Sequence, residues 1–457
     1  MEKRVHLPVA PPDESRRSSI ASDGRRRFVY TADVKGRFHR LRRVVFALLI
    51  AIWIALPLVK IGGRPLVLLD IERRQFFLFG ATFNAQDAYL AFFLVTAVGF
   101  ALALTTSLWG RVFCGFACPQ TVFLDGVFRP IERLVEGPRE KRMRRDQGPW
   151  TGEKVARKVT KHVLYFFAAF VIAHIVLSFF VPLPQTLAMI AGKPGDHPEA
   201  FAWAASITLV LYGNFAWFRE QVCVVVCPYG RLQAVLVDKD SLVIGYDEKR
   251  GEPRGKAKDA GRGACVDCNR CVTVCPTGID IRNGLQLDCI GCTACIDACD
   301  EIMDKLEQPR GLIRYDSMRA FEGGARKILR PRLYVYAVLG LIGAIVATVV
   351  ISRHTSFEAN LLRAPGAPFV VEDGRVRNSF TLHLVNKEDE RATFELSAEG
   401  VDLAANPRVE VAPLDDARVT VVVSTPIEQK SSRWKLRVKK VPEGEEKIVD
   451  ATLVRPK

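Results

Sequence analysis

Cys265-Val266-Asp267-Cys268-Asn269-Arg270-Cys271-Val272-Thr273-Val274-Cys275-Pro276 decides what this chain can be. The spacing Cys-x2-Cys-x2-Cys-x3-Cys-Pro is the bacterial run of thiolate ligands for a 4Fe-4S cube. Thirteen residues later the run returns as Cys289-x2-Cys292-x2-Cys295-x3-Cys299. Each short run wraps three thiolates around one cube and lends its fourth to the other. By that rule Cys265, Cys268, Cys271 and Cys299 hold one cluster, and Cys289, Cys292, Cys295 and Cys275 hold the second.

Zinc and disulfides also use paired cysteines, but structural zinc favours two separated pairs with a long insert, not three cysteines at successive x2 steps. Two adjacent cubes move electrons singly, so the segment reads as a ferredoxin-like conductor. One departure is visible: Asp300, not proline, follows Cys299.

The rest of the 457-residue chain divides sharply between apolar and charged stretches. Five stretches are near bilayer length and free of Lys, Arg, Asp and Glu: about 44–59, 88–109, 162–183, 201–218 and 333–352. Twelve Lys/Arg precede the first and twelve lie between the second and third, against four and one in the alternate loops. The positive-inside rule then puts the N-terminus, residues 110–161 and residues 219–332 in the cytoplasm. All twelve cysteines fall on that side, where a reducing compartment keeps thiols free for metal. Residues 1–43 read as a basic tail, with 1–30 disordered, and the first apolar stretch as a retained anchor rather than a signal peptide. The net charge of +15 sits largely beside the spans, which accounts for it without nucleic acid and points to membrane lipid as the anionic partner.

From about Phe369 the pattern alternates, as in Ser379-Phe380-Thr381-Leu382-His383-Leu384-Val385, and turn residues recur. Residues 369–457 are expected to form a periplasmic immunoglobulin-like β-sandwich, with 353–368 as its linker. The fold expected is thus a multi-domain membrane protein. It has an α-helical transmembrane bundle of five spans (four of them within 44–232), a cytoplasmic two-cluster ferredoxin-like α+β insert at 233–332, a fifth helix at 333–352 and a C-terminal all-β sandwich.

The remaining cysteines form two copies of one motif, Cys114-x3-Cys118-Pro119 and Cys223-x3-Cys227-Pro228, offset by 109 residues and each just after a span. This looks like a duplicated two-helix hairpin. Cysteines four apart on a helix share a face and could clamp one soft ion, for which thiolates prefer copper(I) or zinc. Each proline is expected to start a new helix, leaving Cys118 and Cys227 at helix N-termini where thiolate is favoured. Two packing cysteines per hairpin, or a reversible disulfide, are the bland alternative. His174 lies inside the third span and His162 near its end, with no partner to make a bis-His haem site; His174 could instead serve a proton or quinone site.

In this order, five spans, two Cys-x3-Cys-Pro motifs, eight ferredoxin cysteines and a sandwich resemble the FixG/RdxA/CcoG family of cytochrome oxidase accessory proteins. The likeness extends to Gly62-Gly63-Arg64-Pro65, Leu69-Asp70-Ile71, Arg73-Arg74-Gln75-Phe76 and Arg377-Asn378-Ser379-Phe380. It implies a protein of the bacterial inner membrane that acts as a cupric reductase, making Cu(I) for assembly of the cbb3-type oxidase. Copper ions, oxidase assembly factors and a cytoplasmic electron donor would be its partners. Cys114, Cys118, Cys223 and Cys227 would be the copper-facing thiols. The rival readings are a quinol dehydrogenase-type membrane ferredoxin and a non-enzymatic assembly scaffold.

Overall fold

In a computed structural model of the chain, residues 28–61, 63–72, 75–84, 89–352, 355–388, 390–428, 433–442 and 444–455 are described. The disorder expected for residues 1–30 falls, apart from Phe28, Val29 and Tyr30, outside them. Among the described residues, five helices are long and apolar enough to cross a membrane: Arg37–Leu58, Ala91–Trp109, Gly152–Leu177, Pro198–Phe218 and Pro331–Val349. They are the five expected spans with shifted ends. The third stops at Leu177, where Ser178 turns the chain ahead of Pro182. Backbone contacts separate two compact units, one built from residues up to Asp70 with Phe92–Ala344, the other from Ile71–Ala91 with Ile345–Lys457.

In the first unit, aromatic packing joins the third and fourth spans to the segment after the second. Phe128 stacks on Phe215 with ring centroids 4.2 Å apart and meets Tyr165 edge-on at 5.1 Å. The ferredoxin-like segment is framed by an antiparallel pair, Leu242–Tyr246 with Ile313–Ser317, over a core of Ile244, Ile279, Ile281, Ile296, Met303 and Leu312. The end of the basic tail is ordered against it: Ala32 N–H donates to Thr273 O at 2.9 Å. Asp297, between the last two cysteines, accepts from the N–H groups of Phe38 (3.2 Å) and His39 (2.6 Å). It thus caps the first span, whose own start, Gly36, has no side chain to do so.

The second unit is a sandwich of antiparallel strands. One sheet runs in the order Asp402–Ala404, Asp416–Pro426, Arg375–Asn386, Phe357–Arg363, with Val370–Glu372 also on Arg375–Asn386. The other runs Arg408–Val411, Ala392–Glu399, Arg433–Val441, Glu446–Thr452. Inward residues at every second position, including Phe380, Leu382, Phe394, Val421, Trp434 and Leu436, fill the core between them. The linker expected at 353–368 is therefore shorter. Phe357–Arg363 pairs with Phe380–Asn386, and burial of Phe357 and Ala359 in the core gives that segment a reason to be a strand. A hairpin from the loop after the first span, Gln75–Leu78 with Ala81–Asn84, belongs to this unit, and Gln75 Nε2 donates to Leu414 O at 2.9 Å.

Candidate functional site

The two cysteine runs fold into loops of matching conformation. The residue before each second cysteine, Asp267 or Gly291, has φ of 49° or 68°, and the residue after it, Asn269 or Thr293, has φ of 55° or 62°. These left-handed turns fold the chain back so that successive thiols point to a common centre. Cys265, Cys268, Cys271 and Cys299 line one cavity, walled by Tyr246, Arg282, Met303, Leu312 and Ile313. Three thiols come from one run and one from the other. Arg282 pins the first loop through Asp267 (2.6 Å) and Asp280 (2.7 Å). The second set also gathers: Cys289, Cys292 and Cys295 each feel the charge of Cys275.

Backbone amides of Gly291, Ala294 and Ile313 serve the sulfurs of Cys289, Cys292 and Cys299. Without metal, burial pushes the Cys271, Cys292 and Cys299 thiols up to about 12 and Cys289 up to about 11. Such thiols become thiolates when iron supplies the compensating charge. Two four-thiol sets with amides aimed at sulfur fit two 4Fe-4S cubes, which, when bound, store and release electrons one at a time. Asp300 sits inside the helix Ala294–Lys305, and its carboxylate accepts from Gly311 N–H at 3.0 Å. A proline there would break that helix, which explains its absence after Cys299.

The Cys-x3-Cys-Pro motifs depart from the single-helix expectation. Cys114 lies in a short helix, Val112–Phe116, while Cys118 caps the next, Pro119–Phe123. In the second copy Cys223 lies in the wide turn Val222–Val226, and Cys227 caps Pro228–Leu236. Proline ends one helix and starts another, so the expected helix N-termini at Cys118 and Cys227 are present. At Cys118 the favoured thiolate is absent: burial raises that thiol despite the Gln120 and Thr121 amides beside it. Burial likewise lifts Cys114 to about 11 and Cys223 to about 12.

The two copies interlock. Gln120 and Asn214 exchange side-chain hydrogen bonds (3.2 and 2.8 Å), and Tyr229, the counterpart of Gln120, meets Thr106 at 2.8 Å. Arg111 Nη2 donates to Gly230 O at 2.9 Å, and Gln120 Nε2 donates to Arg219 O at 2.9 Å. Gly110 and Arg219 hold φ of 56° and 52° at the same place in the repeat. All four thiols come within electrostatic reach of one another. Cys114 and Cys223 pack on the apolar layer of Val274, Ile290, Cys292, Ala294 and Ala298, a layer that includes one member of the second cysteine set. Arg111 Nη1 donates to Cys289 O at 3.0 Å across the same seam.

A web of buried ion pairs backs this seam. Glu132 accepts from Arg142 (3.0 Å) and Arg219 (3.2 Å), and Asp125 is shared by Arg42 and Arg129. Burial opposes ionisation of Glu132, but Arg219 and Arg142 outweigh it and hold it at about 2. Arg42 Nε and Arg129 Nη2 reach on to Gly115 O (2.8 Å) and Pro276 O (2.9 Å). These residues are invisible in the sequence, where they merge with the surface arginines beside the spans. Of the histidines, His162 Nδ1 meets Tyr212 of the fourth span at 3.0 Å, and His174 Nδ1 meets Phe170 O of its own helix at 2.8 Å.

Comparison with known proteins agrees with this architecture. Family models described as a 4Fe-4S binding domain, a 4Fe-4S dicluster domain and the IG-like fold at the C-terminus of FixG match residues 90–138, 218–318 and 347–456. The nitrogen fixation protein FixG of Rhizobium meliloti is 35% identical, over 87% of this chain and 84% of its own length. Protein RdxA of Cereibacter sphaeroides is 35% identical over 81% and 82%, and RdxB of the same organism is 33% identical over 87% and 86%. With the two thiol sets and five spans already in place, the chain belongs to the FixG/RdxA family of membrane iron-sulfur electron-transfer proteins.

Proposed function

We propose that this protein reduces Cu(II) to Cu(I) at the membrane, for assembly of a cbb3-type cytochrome oxidase. Electrons from a cytoplasmic donor enter the eight-cysteine segment, with Cys265, Cys268, Cys271 and Cys299 holding one cluster and Cys275, Cys289, Cys292 and Cys295 the other. They leave toward copper at Cys114, Cys118, Cys223 and Cys227. The observation carrying this reading is the packing of Cys114 and Cys223 against the layer that contains Cys292. Soft sulfur at the exit favours Cu(I) over Cu(II), giving the reduction a direction. The N-terminus and clusters are on the cytoplasmic side and the sandwich is periplasmic. Support comes from the basic loops and from pairings such as Ala32–Thr273 and Gln75–Leu414, each of which joins segments separated by four spans, as five crossings require.

The test is anaerobic purification and cupric reduction assays on Cys114→Ala/Cys118→Ala and Cys223→Ala/Cys227→Ala variants, with the iron content of the eight-cysteine segment measured in parallel. Loss of cupric reduction in both supports the reading; full activity in both refutes the exit assignment.

A second reading, in which a membrane quinol supplies the electrons, draws on one cavity of about 840 Å³. It runs from Phe46, Ala47 and Ile50 of the first span to Val274, Pro276 and Ala294, neighbours of Cys275 and Cys295. That size suits a small ligand. Quinol-dependent bleaching of the purified protein would favour it.

A further inference from the structure

We propose that electrons enter through the face formed by Cys268 and the basic loop 249–262, and that the donor docking there is a small protein whose one-electron centre is ringed by carboxylates. The inference rests on the reading of the eight-cysteine segment as a relay fed from the cytoplasm, and it names the entry and the class of donor.

Exposure marks the entry. Of the twelve cysteines, all among the described residues, Cys268 alone is exposed to solvent. It belongs to the set with Cys265, Cys271 and Cys299, whereas Cys292 of the other set lies in the layer that meets Cys114 and Cys223. Electron transfer falls steeply with distance, so a donor in solution is best served at the thiol that reaches solvent.

Charge marks the partner. Residues 248–262 hold Lys249, Arg250, Arg254, Lys256, Lys258 and Arg262 against Glu248, Glu252 and Asp259. Of the six cations only Arg254 forms an ion pair among the described residues, with Glu252 at 3.0 Å. Lys249, Arg250 and Arg262 donate to backbone carbonyls, which hold the loop without cancelling its charge. Lys256 and Lys258 are exposed, and Asp267, beside Cys268, is already held by Arg282 at 2.6 Å. Uncancelled positive charge around an exposed redox centre attracts and orients an acidic partner.

The loop is tied to the first ligand. Cys265 N–H donates to Gly251 O and Gly255 N–H to Cys265 O, both at 3.3 Å, and Ala264 N–H donates to Arg250 O at 2.9 Å. Arg250 and Arg262 border an open cleft of about 540 Å³, with Gln308 and Pro309 also lining it. An anionic membrane surface would attract the same cations, but the strand Leu242–Tyr246 carries the loop away from the second span. It starts where Ser241 Oγ donates to Ser107 O at 2.7 Å, and runs about 13 Å before Tyr246 reaches the first cysteine set. In the transfer itself one electron leaves the donor, whose centre is oxidised by one unit, and the first set's cluster is reduced by one; no bond forms or breaks.

The experiment uses the full chain with its clusters in nanodiscs, and a strongly acidic 2Fe-2S ferredoxin, dithionite-reduced and desalted, as the probe donor. Carbodiimide, which joins amines to carboxylates in contact, is expected to link the ferredoxin to Lys249, Lys256 or Lys258; links confined to other lysines overturn the inference. Bleaching of the chain's clusters by the ferredoxin is expected to slow about tenfold between about 50 and about 500 mM NaCl, and a flat salt dependence overturns it. In Lys256→Glu/Lys258→Glu, the ratio of that rate to the rate with reduced propyl viologen sulfonate, a small mediator of low charge, is expected to fall about tenfold, and an unchanged ratio overturns it. Shielding of Lys256 and Lys258 from acetylation by anionic nanodiscs alone would assign the loop to the membrane and overturn it too. A chain that meets all these expectations yet reduces no Cu(II) sinks the copper reading and leaves the entry face standing.

Discussion

Gly115, within the first Cys-x3-Cys motif, and Gly291, within the second cysteine run, lie backbone against backbone. A Cβ on Gly115 would stand 2.5 Å from Gly291 O, and one on Gly291 would stand 2.8 Å from Arg111 O. The membrane-face thiols and the relay loop can approach this closely only because both side chains are missing.

Gly115→Ala should therefore push the hairpin off the loop. Overpacking of this kind costs about 1–3 kcal/mol. We expect a lower unfolding midpoint and slower electron delivery to the exit thiols, with the cavity of Cys265, Cys268, Cys271 and Cys299 still filled. Stopped-flow oxidation of the reduced protein by Cu(II), beside iron analysis, checks this; wild-type rates would show that the contact is not needed.

The crossed ligand sets make a pairwise prediction. Cys299→Ser should abolish the same spectroscopic centre as Cys268→Ser, although the two residues sit in different runs, and Cys275→Ser should match Cys292→Ser. Electron paramagnetic resonance after dithionite reduction separates the two centres. If Cys299→Ser instead matched Cys292→Ser, the cavity shared by Cys265, Cys268, Cys271 and Cys299 would not be a ligand set.

Restoring the ferredoxin proline should do harm. Asp300→Pro removes an amide from the interior of Ala294–Lys305 and the bond to Gly311, at about 3 kcal/mol or more. Because Cys299 precedes it, the first centre should be lost before the second, as read by iron content and thermal melting.

Glu132 gives the fold a pH dependence. Its carboxyl sits at about 2, below its ordinary 4.5, so the stability that its ionised form contributes is complete above about pH 4.5 and is lost as the pH falls toward about 2. Melting temperatures should decline across that window. Glu132→Gln should flatten the decline and, by leaving Arg219 and Arg142 uncompensated, lower stability at neutral pH by about 3–5 kcal/mol. An unchanged melting profile in that variant would remove Glu132 as the cause.

Sequence periodicity and spacing were enough for the spans, the eight-thiol segment and most sandwich strands, because each rests on local pattern. Phe357–Arg363 escaped because its alternation is short, with Phe357, Ala359 and Leu361 set between Glu358 and Asn360 before Leu362 breaks the pattern, and its strand character comes from pairing with Phe380–Asn386. Four-residue spacing suggests a clamp on one helix face, but Pro119 and Pro228, legible in the sequence as helix starts, divide each motif between two elements. Asp125, Arg129, Glu132 and Arg219 were illegible for a different reason. A charged residue's burial depends on a partner far along the chain, and no local pattern distinguishes it from a solvated one.

The reciprocal bonds between the hairpins, with Gln120 reaching to Asn214 and Tyr229 to Thr106, are what a symmetric dimer leaves behind when its halves are fused. An ancestral single hairpin would have met its twin across a two-fold axis, each contributing a cysteine pair. Fusion freed the halves to diverge, and Arg219 could take the place that Gly110 keeps, trading backbone ease for an ionic anchor.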